Sequence, residues 1–120
     1  MNTDIVTRRI IGCAMKVSND LGVGFLEKVY VNALMIELQK AGLFAEQQKR
    51  IAVLYDGIIV GEYTADILVE NKVEVELKVA KGIDEMHMAQ LLNYLKATGM
   101  RIGLIINFGT PKLGIRRMVL

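Results

Sequence analysis

The segment Glu62–Ala80, EYTADILVENKVEVELKVA, constrains the chain more than any other, because two alternating runs meet at Glu70-Asn71-Lys72. Ala65, Ile67 and Val69 fall on one side of an extended backbone, and Thr64, Asp66 and Leu68 on the other. Val73, Val75, Leu77 and Val79 alternate in the same way with Glu74, Glu76 and Lys78. Asn71 tolerates positive φ and suits a tight connection. Burying both apolar sets on one side requires paired residue numbers to sum to an even value, since a one-residue slip exchanges the faces. The shortest such register centres on Asn71. It sets Asp66 across from Glu76, with Cβ atoms roughly 4.5–5.5 Å apart and Lys78 on the diagonal about 7–8 Å from Asp66.

Directly opposed carboxylates repel, so a cation belongs beside them. With Lys78 as that cation, the arrangement is a solvated charged face. The other candidate is a hard divalent ion such as magnesium or manganese, for which two carboxylates and a backbone carbonyl are suitable oxygen ligands. Spacing leaves both open.

The remaining periodicities place these strands. Val6, Ile10, Cys13, Ala14, Val17 and Leu21 recur at helical spacing over Asp4–Leu21, before the Gly22-Val23-Gly24 turn. A second helix is expected from about Phe25 to Ala41, with Gly24 as N-cap, Glu27 three residues in and Gly42 at the end. Gln47–Tyr55 reads as a strand closed by the hairpin signal Asp56-Gly57, followed by strands Ile58–Val69 and Val73–Val79. A third helix spans Asp84–Thr98, ending at Gly99. Arg101–Asn107 is short and nearly all apolar, a central strand parallel to the third across a right-handed crossover, and a last strand covers Gly114–Leu120. The expected order is α-α-β-β-β-α-β-β, an α/β mixed sheet flanked by helices, in a single domain over 1–120.

Hydrophobic residues make up 52% of the chain, yet no run approaches the ~18 apolar residues of a membrane-spanning helix. No membrane partner is expected. Fifteen basic and 13 acidic residues give a net charge of +2, too even to infer a polyanionic partner from bulk charge. The lone cysteine, Cys13, excludes an internal disulfide, and the N-terminal residues carry no signal-peptide pattern, so a reducing cytoplasm is the expected location. Nucleophile motifs, phosphate-binding glycine loops and CxxC pairs are absent.

Two helical constellations remain. Glu27 lies one turn before Tyr30, in Gly24-Phe25-Leu26-Glu27-Lys28-Val29-Tyr30. A capping glutamate and a half-buried tyrosine explain each singly. On the third helix His87, Gln90 and Tyr94 form a polar stripe beside Met88, Leu91, Leu92 and Leu95. It is either solvated or positioned to hydrogen-bond a phosphate or a metal-bound water, and a lone His is a weak zinc ligand.

Taken together, these residues resemble the GxxExxY family of the PD-(D/E)xK, restriction-endonuclease-like superfamily. The resemblance runs through Gly24–Tyr30, Gly61-Glu62-Tyr63-Thr64-Ala65-Asp66, Val75-Glu76-Leu77-Lys78, Ala89-Gln90-Leu91-Leu92-Asn93-Tyr94-Leu95 and Asn107-Phe108-Gly109, nearly the whole chain. It departs where members often carry arginine, at Thr64, and glutamate, at Met88. The resemblance implies a restriction-endonuclease-like fold and metal-dependent phosphodiester hydrolysis, with Asp66, Glu76, Lys78 and Glu27 as the catalytic set. It implies magnesium, or manganese, held by Asp66, Glu76, the Leu77 carbonyl and Glu27, with Gln90, Tyr94 and Tyr30 as positioners behind them. The implied partner is nucleic acid, DNA ahead of RNA. The alternative is a catalytically inactive nucleic-acid-binding or protein-interaction module of the same fold. A homodimer is also expected, because a single compact site cuts one strand at a time and the composition is apolar for this length.

Overall fold

In the computed structural model, which describes residues 1–120, Asn2 starts the first helix, its Oδ1 accepting the Ile5 N–H at 2.9 Å. Helix α1 (Thr3–Leu21) buries Val6, Ile10, Ala14 and Val17, the expected stripe. Cys13 stands half-buried at the margin of that stripe, its Sγ 3.6 Å from the Glu37 carbonyl. Helix α2 (Glu27–Lys40) begins two residues later than its periodicity suggests: Leu26 is the extended capping residue and Glu27 the first helical one, so Gly24 belongs to the preceding turn. The apolar run Phe25-Leu26 reads as helix by composition, but it forms the turn instead, with the Tyr30 hydroxyl accepting the Phe25 N–H.

The strands follow as β1 (Ala45–Tyr55), β2 (Ile58–Val69) and β3 (Val73–Lys78), then α3 (Glu85–Thr98), β4 (Ile102–Asn107) and β5 (Gly114–Val119), the order expected from sequence. They form one five-stranded sheet in sequential order, antiparallel except for β3 beside β4, which run parallel across the α3 crossover. Asp56 and Gly57 both take positive φ, 53° and 74°, as a two-residue hairpin turn matched to strand twist requires. Glu70 and Asn71 do the same between β2 and β3. Ile67 pairs with Val75, Leu68 with Glu74 and Val69 with Val73, the Asn71-centred register. Asp84 caps α3, accepting the His87 N–H at 2.9 Å, and Gly99 ends it in the left-handed region.

Helices α1 and α2 cover one sheet face, where Ile67, Val69, Val73, Val75, Leu77, Leu104 and Ile106 join the principal core. Helix α3 covers the other, packing Leu91 and Leu95 on Ile105. Alternation does not run unbroken along β2. Ile67 belongs to the α1/α2 core, whereas Tyr63, also odd-numbered, stacks on Tyr94 of α3. Strict period-two geometry forbids both, so the strand rotates between them. The break lies at Asp66: the β1–β2 ladder pairs Gln47 with Ile67 and Lys49 with Ala65 but skips Gln48 and Asp66, and Gln48 has φ of 56°. No helix is long and apolar enough to cross a membrane.

Candidate active site

Glu74, Glu76 and Lys78 share the face of β3 that α3 covers, so it is not a solvated face. Glu74 is fully buried; its Oε1 accepts the Thr98 hydroxyl at 3.1 Å, and its Oε2 has no partner. Glu76 and Lys78 line a cleft of about 200 Å³ with Tyr63, Thr64, His87, Gln90 and Tyr94. Here Glu76 Oε1 accepts a hydrogen bond from the Tyr63 hydroxyl, and the Tyr63 ring lies 3.7 Å, centroid to centroid, from that of Tyr94. His87 turns its Nδ1 to the Asp84 N–H at 3.4 Å, which ties it to the helix cap.

Asp66 opens on the opposite side, into a second cleft shared with Glu27, Lys28, Gln47 and Gln48. The strict alternation that set Asp66, Glu76 and Lys78 on one face is broken by the rotation at Asp66 itself. Beyond Ile67–Val75 the β2–β3 ladder stops, and Asp66 Oδ2 takes the place of a strand carbonyl, accepting the Leu77 N–H at 2.9 Å. Asp66 therefore lies at the split between the strands, next to Glu76 in space but facing α2.

Charge joins the two clefts. The Glu76 carboxyl is pushed up to about 8, first by burial and then by the charge of Asp66, against the opposing effects of the Tyr63 hydrogen bond and Lys78. The Glu27 carboxyl is also raised, by partial burial and then by Asp66, with Lys78 pulling it down. Burial and the neighbouring Glu76 push the Tyr63 phenol well above its usual range. Lys78 thus acts on both Glu27 and Glu76, and the charge of Asp66 opposes it at each. Such clustering of perturbed groups in a cleft is a mark of function.

The family model described as "PD-(D/E)XK nuclease superfamily" matches residues 4–118. The chain belongs to that superfamily. The solved structure titled "Crystal structure of SSO0001" is 18% identical and superposes with a TM-score of 0.58 over 78% of this chain, a likeness of fold. This chain spans 50% of that one. Comparison with curated proteins gives no match.

PD-(D/E)XK nucleases generally use divalent metal ions. The donor chemistry here fits such an ion: the available ligands are carboxylate oxygens, and a cation relieves the Asp66 charge that, after burial, raises the Glu76 carboxyl. The geometry meets this only part-way. No three His, Cys, Asp or Glu side chains converge closely enough to hold an ion. Glu76 is turned to Tyr63 and Asp66 to the Leu77 N–H.

Other residues brace the candidate site of this PD-(D/E)XK superfamily chain. Tyr30, fully buried, donates from its hydroxyl to the Gly22 carbonyl at 2.6 Å and stacks on Phe108 at 4.7 Å, which fixes the turn that delivers Glu27. It supports Glu27 from the core and lines neither cleft. Buried Asn107 accepts the Ala80 and Gly109 N–H groups at 3.0 and 3.1 Å and donates to the Ala80 carbonyl at 3.0 Å. A Cβ on Gly109 would lie 2.2 Å from the Ala80 carbonyl oxygen, so only glycine lets this turn press on the strand end just past Lys78. Alternation did not single out Tyr63, because it was read only from Thr64 to Val69. Its place in the Gly61–Asp66 motif was the available signal.

Proposed function

We propose that the chain is a metal-dependent nuclease of the GxxExxY type that hydrolyses phosphodiester bonds, DNA ahead of RNA. The observation that carries this reading is the match to the PD-(D/E)XK nuclease superfamily over residues 4–118, together with Asp66 bonded to the Leu77 N–H between Glu76 and Lys78. Asp66, Glu76, the Leu77 carbonyl and Glu27 would hold magnesium, or manganese in its place, which supplies Lewis acidity toward the scissile phosphate. Lys78 donates hydrogen bonds to the attacking water or to the phosphate oxygens that gain charge. Gln90 and Tyr94, on the α3 wall, orient the phosphate. Tyr30 keeps Glu27 in place through the α1–α2 turn. The protein acts as a homodimer in a reducing cytoplasm, where its single cysteine stays a thiol.

The test is a panel of single- and double-stranded DNA and RNA incubated with magnesium, with and without chelator. Cleavage should require the metal and fall by about 10²–10⁴-fold in Asp66→Ala and in Lys78→Ala. Cleavage that persists in both variants refutes the assignment.

The Tyr63–Glu76 hydrogen bond favours a second reading, a non-catalytic nucleic-acid-binding or protein-interaction module whose carboxylates stay closed to metal. Its nucleic-acid form predicts salt-sensitive binding of the same polynucleotides without turnover. Calorimetry showing saturable magnesium binding that is lost in Asp66→Ala would exclude it.

A further inference from the structure

The outer half of the β1–β2 hairpin leaves the sheet. Strand β3 pairs with β2 only over Ile67–Val69, and β1 is the sheet's edge strand, so from Ile58 to Asp66 β2 has β1 as its only paired strand. The tip beyond Tyr63 lies past the contacts that Tyr63 and Asp66 make with the body. A two-stranded ribbon is marginally stable in water without cover. Its tip is also apolar: Leu54, Tyr55, Ile58, Ile59 and Val60 are each 59% to 72% exposed. Leu54 stands opposite Ile59 and Tyr55 opposite Ile58, so large apolar side chains project from both faces of the tip. Together the five expose on the order of 600 Å², the upper end of the largest apolar patch on a typical monomer.

We propose that this ribbon is the interface of a homodimer and that its occupant is the ribbon of a second copy. The area argues for that occupant. A standard specific interface buries roughly 800 Å² per partner and weak ones less, and the apolar area of the tip places a ribbon-to-ribbon contact in the weaker class, with a dimer that forms in the micromolar range. A two-fold axis brings the same patch to itself, which suits a surface that is apolar on both faces and needs no complementary charge. Charge argues against nucleic acid here: between Ile51 and Tyr63 the charged residues are Asp56 and Glu62, both acidic, and they repel phosphate. The proposal gives a surface to the homodimer of the reading above and needs no catalysis. A monomer that cuts nucleic acid would overturn this inference and the homodimer but leave the nuclease assignment standing, and a dimer that does not cut would overturn only the nuclease assignment.

The experiment is sedimentation velocity from 1 to 200 µM on the wild type and on the double variant Leu54→Lys, Ile59→Lys. The wild type should dimerise within that range, and the variant should be monomeric throughout, with the dissociation constant raised at least 100-fold. Both side chains are exposed and outside the core, so the circular dichroism spectrum should be unchanged. Amide exchange should report the contact independently, slowing over residues 51–61 with concentration in the wild type and not in the variant. A wild type that is monomeric at 200 µM, or a variant that dimerises as well as the wild type, overturns the proposal. So does concentration-dependent protection confined to the helices.

Discussion

β3 is covered on both faces, and the two carry opposite chemistry. Val73, Val75 and Leu77 are fully buried against the α1/α2 core, where their burial stabilises the sheet. One residue along in each case, Glu74, Glu76 and Lys78 lie beneath α3, with Glu74 as deeply buried as any valine. Desolvating carboxylates opposes folding unless each is paired, and Glu74 Oε2 is not. The apolar face therefore explains why the strand is at the centre of the sheet. The charged face is tolerated despite its cost, as expected where a site is built for chemistry rather than stability.

The largest test of this contrast sets neighbouring positions against each other. Leu77→Ala should destabilise the fold by about 2–5 kcal/mol, the range for truncating a buried leucine. Glu76→Leu, which replaces a desolvated carboxyl by an apolar group of similar size, should be neutral or stabilising. Thermal melts of both variants at neutral pH decide the matter. If both fall by similar amounts, the two faces contribute alike and the contrast fails.

A smaller effect follows from pH. The folded-state Glu76 carboxyl titrates at about 8, above its ordinary value of 4.5, so the native state binds a proton that the unfolded chain has already lost. The stability this provides is fully present below pH ~4.5, declines as pH rises and is gone above about 8. Between those limits the wild type should lose on the order of 2–4 kcal/mol relative to Glu76→Gln, whose side chain does not titrate. Urea melts across that window measure it. A difference that stays flat would mean that Glu76 titrates alike in the folded and unfolded chain, and one that grows in the opposite direction that folding holds its carboxyl below the ordinary value.

Most of the fold was legible because its signals are local. Asp56-Gly57, Asn71, Asp84 and Gly99 each set a boundary by backbone chemistry, and the even-sum rule gave the β2–β3 register before any contact was known. The start of α2 was misread because Phe25 and Leu26 have helical composition, and only a bond from a distant residue, Tyr30, holds them in a turn. The site was half legible. Alternation correctly grouped Glu74, Glu76 and Lys78 on β3. On β2 it failed at Asp66, where the ladder with β1 lacks a pair and Gln48 of that strand takes positive φ, a feature that no periodicity within β2 encodes. Tyr63, which lies before the stretch where the alternation was read, stacks under α3 beside Glu76.

Tyr63 supplies the smallest and most specific test. Its hydroxyl donates to Glu76 while its ring is held by Tyr94, so Tyr63→Phe removes the bond and keeps the stacking. The loss of one part-buried hydrogen bond should lower stability by about 1 kcal/mol. The diagnostic change is in Glu76 itself. A donor to the ionised carboxylate holds the Glu76 titration down, so its removal must move the midpoint further above 8 even as burial and Asp66 continue to act. Carbon-detected NMR of the Glu76 carboxyl, recorded across a pH series in both proteins, reads that midpoint directly. A midpoint that is unchanged or lower in Tyr63→Phe would show that the phenol does not donate to the charged form. Glu76 would then owe its titration to burial and to its charged neighbours alone.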